Sequence, residues 1–63
     1  MTEDECFTAC NNMLLAMLGR KDLVATWWTG YNHYFGETPA QRWAREHMDV
    51  FNYLSSHANG DYS

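Results

Sequence analysis

Between Trp27 and Pro39 the chain reads Trp27-Trp28-Thr29-Gly30-Tyr31-Asn32-His33-Tyr34-Phe35-Gly36-Glu37-Thr38-Pro39, with two Trp, two Tyr and one Phe in thirteen positions. Each such ring buries about 150–250 Å² when packed. In a chain of 63 residues, much of the large apolar surface therefore belongs to a connecting segment rather than to a helix face. The segment closes on Thr-Pro, a helix-start signal. These constraints suit short helices joined through an aromatic hinge that presents rings.

So short a chain forms one domain at most, and it sits near the lower limit for folding without staples. Ordering the backbone costs roughly 1–2 kcal/mol per residue, which leaves a small core little surplus. The aromatic content of 16% eases this. A second copy or a larger protein partner would also supply burial, so a homodimer or a module within a complex is expected.

Charge excludes other partners. The net charge is −4 and the only basic residues are Arg20, Lys21, Arg42 and Arg45. No basic stripe can neutralise phosphates, so neither nucleic acid nor an anionic membrane is expected as a ligand. The longest purely apolar run, Met13 to Leu18, is six residues, far short of a membrane span. The start Met-Thr-Glu-Asp-Glu is the opposite of a positively charged signal peptide, and a cytoplasmic protein is expected. Cys6 and Cys10, four residues apart, lack the tight paired spacing of a structural zinc site. They read as reduced, packed thiols, with no metal or cofactor.

Thr2-Glu3-Asp4-Glu5 has capping-box spacing and places acids in a first helical turn. Apolar residues recur at Cys6/Phe7, Cys10, Met13/Leu14 and Met17/Leu18, the steps of an amphipathic helix that Gly19 ends. Asp22 is expected to cap a second helix running to about Thr29, with Gly30 as its stop. Residues 31–37 read as a loop or single turn containing the turn-formers Asn32 and Gly36. Thr38 is then an N-cap with Pro39 at the first helical position. A third helix follows, with Trp43 facing inward and Arg42, Arg45 and Glu46 outside. Its continuation from Met48 to Asn59 is either the same helix or a fourth one, with a break near His47 to Asp49 and Asp49 as its cap. Asn59-Gly60 ends it. The expected fold is all-α, a compact bundle of three to four short helices over residues 1–63 with no sheet.

The order Val24-Ala25-Thr26-Trp27-Trp28-x-x-x-Asn32-x-x-Phe35-Gly36-Glu37-Thr38-Pro39 resembles the toxin-binding domain of Xre/MbcA/ParS-type antitoxins. Val50…Leu54 and Gly60-Asp61-Tyr62-Ser63 are similar to that family's closing elements, so the likeness covers residues 18–63. The chain departs from the family in being shorter before Thr38 and between Pro39 and Val50. His47-Met48-Asp49 also stands where the family usually has a Gly. The resemblance implies inhibition of a RES-type toxin that acts on NAD, with the C-terminal end directed toward the toxin's substrate site. There is no room before Trp27 for the DNA-binding domain that such antitoxins often carry. A solitary or phage-encoded toxin-binding domain is the expectation.

Trp27 and Trp28, adjacent on a helix, point about 100° apart. One is expected in the core, and Trp28 is a candidate contact residue, since Trp is enriched where partners bind tightly. Asn32 reads as a turn residue or a partner contact, and Tyr34 as an exposed ring able to touch a partner. Asp61, Tyr62 and Ser63 form a short acidic end whose ring could stack in a nucleotide site while its carboxylates mimic phosphate. Arg42–Glu46 and Arg45–Asp49 have the spacing of solvated helical ion pairs. His33, His47 and His57 have no nucleophile or carboxylate at a spacing that suggests catalysis, and no enzyme activity is expected. Two competing classes remain. One is a small acidic viral or accessory inhibitor of another host enzyme. The other is a helical oligomerisation module.

Overall fold

The computed structural model describes residues 1–58. The expected roles of Asp61, Tyr62 and Ser63, and the expected Asn59-Gly60 stop, lie outside the described residues. Three helices run in order, α1 (Glu3–Leu18), α2 (Lys21–Thr29) and α3 (Pro39–Ala58). No strand occurs among the described residues; one isolated antiparallel bridge joins Asn32 and Glu37.

Helix α1 starts with a complete capping box: Thr2 Oγ1 accepts from Glu5 N at 3.1 Å, and Glu5 Oε1 accepts from Thr2 N at 2.7 Å. It ends at Gly19, whose φ of 80° is left-handed and whose N–H donates to Leu15 O at 2.8 Å. Cys6, Cys10 and Leu14, each four residues from the next, form its buried edge.

Helix α2 begins two residues earlier than Asp22 capping would require. Arg20 is the extended N-cap and lends no side-chain cap. Asp22 therefore lies within the first turn, where the helix dipole favours an acid. Both of its carboxylate oxygens are taken by the Arg20 guanidinium, at 3.0 and 2.6 Å.

Thr38 caps α3 as the sequence suggests, and Gln41 completes a second capping box. Gln41 N donates to Thr38 Oγ1 at 3.1 Å, and Thr38 N donates to Gln41 Oε1 at 2.9 Å. The expected break inside α3 exists but is displaced. Glu46, not Asp49, leaves helical geometry, with φ −156° and ψ 90°. Glu46 Oε1 accepts from Met48 N at 3.3 Å, restarting the helix. Asp49 lies within the resumed helix rather than at its cap, and its Oδ2 accepts from Arg42 Nη1 at 3.0 Å.

The core is built by Cys10, Leu14, Trp28, Phe35, Val50 and Leu54, with Met13, Val24, Trp27, Trp43, Phe51 and Tyr53 packed around it. Each helix contributes, and so does the turn, through Phe35. The chain exposes 4284 Å², against about 4200 Å² for a compact monomer of 7.4 kDa. A second copy is not required to make it compact. No helix among the described residues is long and apolar enough to cross a membrane.

Candidate functional site

The link between α2 and α3 is a tight, hydrogen-bonded turn. Asn32 N donates to Glu37 O at 3.0 Å, and Gly36 N donates to Asn32 O at 2.9 Å. Asn32 Oδ1 folds back to accept from Tyr34 N at 2.8 Å and from Phe35 N at 3.4 Å, as asparagine does in such turns. Gly36 has φ +72°, which L side chains rarely adopt. The result sends Phe35 inward, 6% exposed, and leaves Tyr34 outward, 71% exposed.

Arg42 fastens this turn to α3. Its Nε donates to Glu37 Oε2 at 2.7 Å, its Nη1 to Asp49 Oδ2 at 3.0 Å, and its Nη2 to the Phe35 carbonyl at 2.9 Å. The guanidinium also lies 5.5 Å from the Phe35 ring centre. Arg45 donates to the same Glu37 oxygen. Hydrogen bonds from Arg42, then from Arg45, hold the Glu37 carboxyl below its ordinary range. The Arg42 guanidinium is raised in turn, first by Glu37 and then by Asp49.

This network replaces the expected i,i+4 pairs, Arg42–Glu46 and Arg45–Asp49. Glu46 interrupts the helical register and turns its own carboxylate to a backbone N–H. The turn meanwhile brings Glu37 back over the start of α3. Arg42, expected outside, is consequently only 24% exposed.

An open groove of about 630 Å³ lies between the turn and α3, lined by Tyr34, Phe35, Arg42, Asp49, Asn52, Tyr53, Ser56 and His57. Tyr53 ties its aromatic wall together. Its ring centre is 4.5 Å from Tyr34, 5.2 Å from Phe35 and 4.4 Å from His57.

Of the sequence-derived contact residues, Asn32 and Tyr34 meet in the turn, and Tyr34 lines the groove. Trp28 is placed elsewhere. It is 8% exposed, and its Nε1 donates to Asn11 Oδ1 at 2.7 Å. Its ring sits 5.2 Å from Phe7, 5.2 Å from Trp27 and 5.6 Å from Trp43. Trp43 faces inward as expected and its Nε1 donates to Glu3 Oε2 at 3.0 Å.

Sequence reasoning did not single out Arg42, Asn52, Tyr53 or Ser56 as site residues. A signal existed: Asp49, Asn52/Tyr53 and Ser56/His57 recur at three- and four-residue steps and so share one face of α3. Which element that face meets depends on tertiary packing.

Cys6 and Cys10 are buried free thiols. Burial, with Cys6 adding repulsion, pushes the Cys10 thiol up to about 11. Each histidine packs on a ring: His33 on Tyr31, His47 on Trp43 and His57 on Tyr53. Among the described residues, no group of three or more His, Cys, Asp or Glu side chains could hold a metal ion.

No family model, curated protein or solved structure matches the chain.

Proposed function

We propose that this chain is a small inhibitor domain of the antitoxin type, one that binds and occludes a RES-type enzyme consuming NAD. A single observation carries the reading: the residues of the resembling motif act together in one structural unit. Trp28 is buried, Asn32 caps the turn, Phe35 fills the core, Gly36 takes the left-handed conformation, and Thr38 caps α3 with Pro39 behind it. Residues that are individually common thus have interlocking duties, which a chance order would not require.

The acids at the amino end support this reading over an inhibitor that mimics nucleic-acid charge with a face of dispersed acids. Glu5 is engaged in the Thr2 capping box and Glu3 in a bond to Trp43, so both already serve the fold. In the proposed complex the structured turn and α3 form the docking body. Asp61, Tyr62 and Ser63 provide the tip, with Tyr62 stacking in the nucleotide cleft and the Asp61 carboxylate occupying a phosphate position.

The test is co-expression with a RES-type enzyme from the same source cell. The full chain restores growth and the cellular NAD pool, and a chain ending at Gly60 restores them less. Equal protection by the shortened chain removes the tip mechanism. No protection by the full chain removes the reading.

A further inference from the structure

We propose that the groove between the aromatic turn and the C-terminal part of α3 binds a short extended, proline-containing segment of a protein partner. This rests on the reading of the chain as a protein-binding module, and it names the chemistry that the groove would recognise.

The groove has hydrogen-bonding capacity that the fold leaves unused. Asn52 and Ser56 line it, and among the described residues their side chains have no hydrogen-bond partner. Arg42 uses one N–H on each of its three nitrogens. A guanidinium carries five N–H donors, so two remain on a side chain that reaches the groove. These groups, with the Tyr34 hydroxyl, favour a ligand rich in unpaired acceptors. A polyproline-type segment fits that description, because none of its carbonyls is bonded internally. It is also stiff, so little ordering entropy is lost when it docks.

Charge favours a neutral ligand. Glu37 and Asp49 offset Arg42 and Arg45 within one connected cluster, leaving neither sign in excess beside the groove.

Ring geometry separates a proline segment from a planar heterocycle. Tyr34 is inclined 42° to Tyr53, and His57 is inclined 55° to Tyr53. The three rings are therefore mutually inclined, and the wall is stepped rather than one flat stacking surface. Puckered pyrrolidine rings can seat in such steps. The volume of about 630 Å³ falls within the roughly 300–1,000 Å³ of small-ligand sites.

The experiment is an amide NMR titration of the full chain with an acetylated, amidated hexaproline, run beside a Gly-Ser peptide of equal length and adenosine. Saturable shifts centred on Tyr34, Asn52, Tyr53 and Ser56 are expected with hexaproline alone. Tyr34→Ala should weaken binding by about fivefold, the loss of one aromatic contact. Asn52→Ala, a second change at an exposed side chain without a partner among the described residues, should weaken it in the same direction. Absence of saturable shifts, tighter binding of adenosine at the same residues, or unchanged affinity in both variants would overturn the proposal. A chain that neutralises its enzyme yet ignores hexaproline overturns this inference alone and leaves the inhibitor reading standing.

Discussion

Replacing Trp28 with Phe keeps a ring in the core but removes the indole N–H that donates to Asn11 Oδ1 at 2.7 Å. It also withdraws the second ring from its contacts with Trp27 and Trp43. A hydrogen bond of this kind contributes about 0.5–1.5 kcal/mol net. The weakened aromatic pairs add about 0.5–1.5 kcal/mol, for a total loss of about 1–3 kcal/mol. At roughly 0.05–0.15 kcal/mol per residue, a chain of this length is stable by only about 3–9 kcal/mol. The change is therefore a large fraction of the total stability. Urea unfolding followed by far-UV circular dichroism reads it directly. With a slope near 1 kcal/mol per molar urea for so small a domain, the midpoint should fall by about 1–3 M. Asn11→Ala breaks the same bond from the other side. The double variant should then lose less than the sum of the two single changes, with a coupling of at least about 0.5 kcal/mol. An unshifted midpoint or strictly additive losses would refute the placement of Trp28 as a hydrogen-bonded core residue.

Three further outcomes follow from the geometry. Glu37 has a folded-state pKa held below its ordinary 4.5, so its contribution to stability is present above that value and is lost as pH falls through the lowered one. Glu37→Gln should accordingly melt below the native chain at neutral pH, with the gap closing in acid; a pH-independent gap would contradict the Arg42–Glu37–Arg45 linkage. Gly36→Ala meets no steric obstacle but forces a Cβ into left-handed backbone, and should cost about 1–2 kcal/mol in urea unfolding; a neutral effect would contradict the turn geometry. The Cys10 thiol, buried and raised to about 11, should resist alkylation at pH 8 until the chain is unfolded, whereas modification at the rate of a free thiol would show an opened core.

Local chemistry made the helix boundaries readable from sequence. Thr2 and Glu5, Gly19, and Thr38 with Pro39 each act on backbone groups within a few residues, so spacing alone reveals them. The displaced elements lack that property. Glu46 breaks α3 without a Gly or Pro to announce it, and every ion pair predicted from unbroken helical register failed as a consequence. The start of α2 carries no such mark, since Arg20 is its extended N-cap without a side-chain bond and Asp22 lies within the first turn. The groove was least legible, since it depends on the turn folding over α3 so that Tyr34 meets Tyr53 and Glu37 meets Arg42. Neither contact is set by local register. Periodicity identified the rings and the α3 face separately, and packing brought them together.

The measurement closest to the central proposal is NAD consumption by a purified RES-type enzyme of the source cell, titrated with this chain. Activity should decline in proportion to added chain and vanish at equimolar ratio, with the complex surviving gel filtration. Undiminished NAD consumption in the presence of a large excess of folded chain would contradict the proposed function.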